Sequence, residues 1–341
     1  MPACLKATAI SAILLAALIG PFAAEAKPFR IILPYQDEPP APSSVVDLAE
    51  KLGFYKQAGV EVEFVRVTST PSSLAALRIG DGDMANVATG TCLELVARHQ
   101  MDLRGVISAD KALPFVIAAK KDITTPKQMN GKSFGIASIG STDYLVSRMV
   151  LTKLGVDLNS LQFVSVGLPA VRAQALMANR IDATTFSIGV WTSIPDKSSM
   201  AILVDQESYY KAAPFLTQLD VVLADTMKTK AKEIEGVVRG IMMASRAFAK
   251  NPAMWVDAMV EARPDLKRAD LEAVARTYVE DWSVNGGLNM TSAQFTTDTL
   301  YDDPQWKDLR RVPPQEWIDT RFVDKVLAEI GTAPDIDPTG R

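Results

Sequence analysis

Histidine and cysteine are almost absent from this chain. His99 is the single histidine in 341 residues. A multi-histidine metal site is therefore excluded, and a Ser-His-Asp or Cys-His catalytic arrangement would have to use that one residue. His99 lies in ELVARHQ, which reads as a helix carrying it on the surface, and no nucleophile-elbow motif accompanies it. Basic excess is lacking too. Lys and Arg number 36 against 40 Asp and Glu, a net charge of -4, which gives no support to nucleic-acid or acidic-membrane binding. Beyond the first 26 residues no segment is long and apolar enough to span a bilayer. Cofactor motifs and metal clusters are missing, so neither a cofactor nor a metal is expected.

The first residues read as an address. Lys6 supplies a short positive region, Ala7 to Gly20 is almost wholly apolar, Pro21 breaks the run, and Ala24-Glu25-Ala26 is a small-x-small cleavage site. An uncleaved anchor is the alternative, but the apolar run is short for a span. Cleavage after Ala26 would leave Cys92 as the only cysteine, since Cys4 precedes the apolar core. An intrachain disulfide is then impossible, and Cys92 reads as a small packed side chain. The expected product is a soluble periplasmic monomer held together by its core.

The remaining length suits about two domains, and the chain contains one unit twice. Residues 53 to 85 read GFYKQAGVEVEFVRVTSTPSSLAALRIGDGDMA, and residues 149 to 183 read MVLTKLGVDLNSLQFVSVGLPAVRAQALMANRIDA. Gly59-Val60 matches Gly155-Val156, and the strand Phe64 to Val67 matches Phe163 to Val166. Ten residues after each strand come Leu77 and Leu176, and six after those come Asp83 and Asp182. Matched positions favour a structural role for the two aspartates, bonding loop N–H groups. Two α/β units of one design predict two similar lobes with a ligand cleft between them.

Strand and helix patterns alternate through both units, which implies a mixed, mostly parallel sheet in each lobe. Strands are predicted near 29–34, 64–67, 84–88, 115–119, 133–137, 163–166, 183–186 and 220–224. Ser43 and Thr70 are the expected caps of the helices that follow them, with Pro71 and Pro169 at first helical positions. After residue 224 the period becomes helical. Ile234, Val237, Ile241, Ala244 and Phe248 form one stripe, and Leu271, Val274, Ala275, Tyr278 and Trp282 another. One lobe is predicted as 27–111 plus 213–341 and the other as 112–212, inserted in it. The crossings near 112–114 and 212–214 would serve as a hinge.

Ligands of open α/β sheets bind beyond the carboxyl ends of the strands. The loops there are Thr68-Ser69-Thr70, Thr89-Gly90-Thr91, Ser138 to Thr142 and Gly167-Leu168-Pro169. They are rich in small hydroxyl residues, and helix starts beside them offer N–H groups to an anion. For any one loop, caps and turns explain such residues equally well. Tyr35 and Gln36 end the first strand and should face the cleft. Trp191 follows a strand and could stack on a flat ligand or pack in the core. Asp37 and Glu38 read as solvated loop charges or as partners of a ligand amine.

LAEKLGFYKQAGVEVEFV, ALRIGDGDMA, TPKQMNGKSFGIASIGS and ALMANRIDA together resemble the nitrate/sulfonate/taurine-binding branch of the type II periplasmic binding proteins, over about residues 30 to 225. That branch shares its fold with the thiamine-pyrimidine synthase proteins. The resemblance implies a solute receptor that closes on a small organic anion or zwitterion of the sulfonate, taurine or aromatic-acid class. Its partners would be an ABC permease and ATPase. The resemblance points to Tyr35, Gln36, Ser69, Thr70, Thr89, Gly90, Gly140, Ser141, Thr142 and Ser187 as pocket residues. The acidic, Pro-rich stretch after the first strand departs from the small-residue loop of the family, and the cysteine-rich motif of the pyrimidine synthases is absent. A carboxylate-based lyase on the same fold is the alternative, and a receptor presenting its ligand to a membrane sensor is a third reading.

Overall fold

The structure, a computed structural model, describes residues 27–110, 115–139, 141–278 and 281–334. The expected signal peptide, the crossing near 112–114 and Gly140 lie outside these residues. In chain order the strands are β1 (Phe29–Leu33), β2 (Val62–Arg66), β3 (Met84–Ala88), β4 (Leu103–Ile107) and β5 (Phe115–Lys120). They continue with β6 (Ser133–Ile136), β7 (Gln162–Ser165), β8 (Ala183–Ser187), β9 (Met200–Val204) and β10 (Gln218–Leu223). They form two five-stranded sheets, ordered β2-β1-β3-β10-β4 and β7-β6-β8-β5-β9.

The two sheets repeat one plan. β1 is parallel to β2 and β3, with Ile31 opposite Phe64 and Met84. β6 is likewise parallel to β7 and β8, with Phe134 opposite Phe163 and Ala183. The fourth strand of each, β10 or β5, is antiparallel to both neighbours, and each has a register shift, at Asp220/Val221 and at Ile117/Ala118. Four strands of each sheet therefore run one way and one the other. The matched aspartates explain part of the likeness. Asp83 Oδ2 accepts the Arg30 N–H at 3.0 Å, and Asp182 Oδ2 accepts the Ser133 N–H at 2.9 Å. Their other oxygens hold Lys230 and Lys120 at 2.9 and 2.7 Å. Burial alone would raise the Asp182 carboxyl, but Lys120 and Ser133 outweigh it and hold it at about 2.

Strands covered on both faces read as unbroken apolar runs. Ile31, Ile32 and Leu33 are buried, as are Met84, Ala85 and Val87. The edge strand β7 is mostly exposed. The helical stripe in Ala231–Lys250 is fully buried at Ile234, Val237, Ile241, Ala244 and Phe248. Gly240 lets this helix settle on Phe54–Gln57, because a Cβ there would stand 2.4 Å from Tyr55 Cδ1. The next helices are Pro252–Ala262, Arg268–Ala275, Met290–Tyr301 and Arg321–Ile330, so the last third is mostly helical.

Three local expectations differ from the structure. The helix Thr70–Ile79 is capped by Ser69, whose oxygen accepts the Ser72 N–H at 3.3 Å, while Thr70 Oγ1 accepts the Ala88 N–H at 3.2 Å. Ser43 sits in a 3-10 turn, Pro42–Ser44, and its hydroxyl serves Asp110 rather than a helix start. The stripe from Leu271 stops being helical at Ala275; Tyr278 and Trp282 are buried beyond it in an aromatic cluster.

Cys92 is fully buried, and burial pushes its thiol up to about 12. The native protein is expected not to react with a thiol reagent such as Ellman's at pH 8, and to react fully in guanidinium. Rapid labelling of native protein would contradict this packing.

Candidate functional site

The segments leaving the carboxyl ends of the strands gather into two groups. In the first sheet, Gln36 Nε2 donates to Val67 O at 3.1 Å, tying the segment after β1 to that after β2. The Thr70–Ala88 bond ties the latter to the segment after β3. Tyr35, Gln36, Ser69, Thr70, Thr89 and Gly90 are thereby brought to one corner. Thr89 is buried and its hydroxyl has no hydrogen-bond partner. Gly90 lies under Leu300, 3.7 Å from where a Cβ would be.

Beneath this corner lies an ion-pair network that sequence reasoning missed. Tyr35 donates to Asp47 Oδ2 at 2.8 Å, and Arg66 Nη2 reaches Asp47 Oδ1 at 2.5 Å. Burial pushes the Asp47 carboxyl above its ordinary range even though Tyr35 and Arg66 pull it down. Burial, followed by the Asp47 charge, raises the Tyr35 hydroxyl far above the usual phenol range. Glu38 is no solvated loop charge. It is buried, 3.1 Å from Lys51 and 3.4 Å from Arg66. Asp37 is exposed.

In the second sheet the helix Thr142–Lys153 follows β6, and the helix Pro169–Met177 follows β7. Ser141 Oγ is 2.6 Å from both Ser138 O and Asp143 Oδ1, and Asp143 Oδ2 accepts the Ala137 N–H at 2.9 Å. Arg172 joins the surrounding segments. It donates through Nη1 to Gly167 O at 2.7 Å and through Nη2 to Thr185 O at 3.1 Å, and Nη1 stands 3.4 Å from Asp143 Oδ2. Burial depresses its guanidinium, with Asp143 opposing. Ser187 caps Ile188–Ser193, its oxygen accepting the Val190 N–H at 3.3 Å. Trp191, in that helix, is half-buried, with Lys197 Nζ 5.5 Å from the ring centroid. The backbone of Thr142 opens its helix.

The two groups meet through Tyr278. Its hydroxyl donates to Pro40 O at 3.0 Å and lies 3.8 Å from where a Cβ on Gly189 would be. Gln206 also bonds Asp281, so Asp281 as well as Tyr278 reaches across to the second half. Asp110, just beyond β4 and bridged to Trp282, is pushed up to about 7 by burial and by the charges of Asp220 and Asp281. One signal in the sequence pointed to the missed network. Asp47 and Asp143 both stand in the first turn of the helix that follows their unit's first strand.

This arrangement offers short hydroxyls beside internally paired charges. Among the described residues no cluster of His, Cys, Asp and Glu is placed to hold a metal ion. His99 is exposed, just past the end of the helix Thr89–Ala97, with a positive φ of 54°.

The sequence profile of the NMT1/THI5 like family matches residues 44–254. No curated protein matches the chain. Among solved structures, it is similar to the periplasmic aliphatic sulphonate binding protein SsuA from Escherichia coli. The TM-score is 0.66 at 15% identity, covering 86% of this chain and 92% of that one. The alkanesulfonate-binding protein SsuA from Xanthomonas axonopodis pv. citri gives a TM-score of 0.60 at 16% identity, over 87% and 100%. The periplasmic nitrate-binding protein NrtA from Synechocystis PCC 6803 gives 0.60 at 10% identity, over 89% and 88%. The fold is that of the periplasmic binding proteins.

Proposed function

The chain belongs to the NMT1/THI5-like family, and on that premise we propose that it is a periplasmic solute-binding receptor of an ABC-type importer. The observation that carries this reading is the pair of sheets of one plan, whose carboxyl-end segments form two groups of short hydroxyl residues. Residues 27–111 with 213–341 act as one lobe and 112–212 as the other. A small organic anion or zwitterion is held between them by Tyr35, Gln36, Ser69, Thr70, Thr89, Gly90, Gly140, Ser141, Thr142, Ser187 and Trp191. Ligand binding favours the closed lobes, and that state is what a permease and its ATPase recognise. The names of the similar structures support this class of ligand, and the leader-like first 26 residues support the periplasm. The mature protein works as a monomer, without cofactor, metal or nucleic acid.

A thermal-shift panel tests the reading. Taurine, alkyl sulfonates, aromatic carboxylates, nitrate and pyrimidines are offered to protein starting at Lys27. A ligand at 100 times its Kd adds about 2.7 kcal/mol of stability. At least one acid of the panel is expected to give such a shift and to be recovered unaltered by mass spectrometry. A product that accumulates with time would replace the receptor by the lyase, and no response from any acid would remove the ligand class.

A further inference from the structure

The two halves of the candidate site are built alike but charged differently. Four residues before the matched Leu77 and Leu176 stand Ser73 and Arg172. Both are buried, and the Ser73 hydroxyl has no hydrogen-bond partner. The repeat thus places a guanidinium in the second half where the first has only a hydroxyl.

That guanidinium is incompletely neutralised. Arg172 is 4% exposed. Two of its donors serve neutral carbonyls, Gly167 O and Thr185 O. Its Nε has no partner. The carboxylate beside it, Asp143 Oδ2, stands at 3.4 Å and is already engaged by the Ala137 N–H. Well-formed charge-assisted pairs are shorter, about 2.7–2.9 Å. Arg66 in the first half is the contrast, with Asp47 at 2.5 Å and Glu38 at 3.4 Å. The anchors of Arg172 are the segment after β6, the segment after β7 and Thr185 in the middle of β8; the first two lie at the carboxyl ends, where ligands of open α/β sheets bind. The helices Thr142–Lys153 and Pro169–Met177 start beside the segments that Arg172 links, and the N–H groups of their first turns, Pro169 apart, favour an anion there.

We infer that Arg172 sets the charge preference and orientation of the ligand: its anionic group lies over residues 137–139, 141–143 and 167–168, and its uncharged or amino end faces the first half. Arg172 is a positioning residue that works from beneath these segments, and Asp143 competes with the ligand for its charge. This deepens the receptor reading and rests on it.

The test compares each acid with its uncharged amide: benzoate with benzamide, and butanesulfonate with butanesulfonamide. Wild type, Arg172→Met, Arg172→Lys and Asp143→Asn are measured by calorimetry at low salt, with unfolding curves recorded without ligand. Wild type is expected to favour one acid over its amide. Arg172→Met should weaken that acid about tenfold or more while leaving the amide unchanged, and Arg172→Lys should keep part of the preference. Asp143→Asn should tighten the acid severalfold, a gain that a purely structural role does not give. The inference is overturned if Arg172→Met weakens acid and amide alike, or if Asp143→Asn does not favour the acid. Should the methionine variant fail to fold, the lysine and asparagine variants decide. A wild type that binds an acid of either pair while the variants keep its acid-to-amide ratio removes only the role of Arg172. A wild type that favours neither acid removes the anion reading as well.

Discussion

Replacing Asp220 by asparagine is expected to stabilise the protein at pH 8 by about 1–3 kcal/mol and to flatten its stability between pH 4 and 8. Asp220 is fully buried in β10. Its Oδ1 accepts from Asn86 Nδ2 at 3.0 Å, while its Oδ2 and the Asn86 Oδ1 have no partner. Burial pushes its carboxyl up to about 7, against the pull of Asn86 and the Ala109 backbone. The sign follows from proton uptake. Between the ordinary value of 3.8 and about 7 the folded chain holds a proton that the unfolded chain has released. The stabilisation from this group is fully present below the lower value and is lost as pH rises through the upper one. A shift of that size sets a ceiling of about 4 kcal/mol. Asp110 titrates in the same window and feels the Asp220 charge, so the variant should also ease Asp110. Asparagine keeps the shape and can give Asn86 Oδ1 the donor it lacks. Urea unfolding from pH 4 to 9 measures the effect. A variant less stable than wild type at pH 8, or with an unchanged slope, would show that the charge is not what costs stability.

Trp255→Ala is expected to cost about 3–5 kcal/mol, the range for removing a buried aromatic from a close-packed core. Trp255 is fully buried in Pro252–Ala262 and donates from Nε1 to Ser44 Oγ at 2.8 Å. Its ring stands edge-on to Tyr278 at 5.9 Å and tilted to Trp282 at 6.1 Å, and Phe248 closes the cluster 5.2 Å from Trp282. Removing the indole leaves a hole beside Tyr278, the residue that touches both halves of the candidate site. Trp255→Phe keeps a ring, loses one hydrogen bond, and should cost roughly half as much. Thermal unfolding of both variants checks the order. Equal, small losses would mean that the cluster collapses around the gap.

Most of the fold was legible because periodicity reports burial. Phe29 to Leu33, Met84 to Ala88 and the stripe from Ile234 to Phe248 each follow the spacing of their element, and the repeat announced two sheets before any strand was placed. β4 and β9 went unread. Gly105 breaks the apolar run of β4 for a reason seen only in three dimensions: a Cβ there would press to 3.0 Å from Leu219 on the neighbouring strand. Met200 to Val204 is a short run with no alternation to mark it. The hydroxyl loops were visible as Ser, Thr and Gly clusters. Their supports were not, apart from the first-turn aspartates Asp47 and Asp143, because the arginines that complete them, Arg66 and Arg172, are far away in sequence and ordinary in composition. The cap at Ser69 instead of Thr70 was a choice between adjacent hydroxyls, decided by the Ala88 N–H of a different strand.

The place of β10 governs the order in which the first sheet can be completed. β4 pairs with β10 on one side, while Gly105 bridges Ile318 on the other. Both partners come later in the chain, beyond every strand of the second sheet. The second sheet takes all its strands from one continuous stretch that ends at Val204. A chain emerging from its N-terminus therefore holds β4 unpaired, and the inner edge of β3 open, while the second sheet is made. Long-range pairings of this kind bear a large loop-closure cost and come slowly. The interval leaves bare strand edges on β3 and β4, the surface that holdase chaperones shield and that off-pathway association exploits.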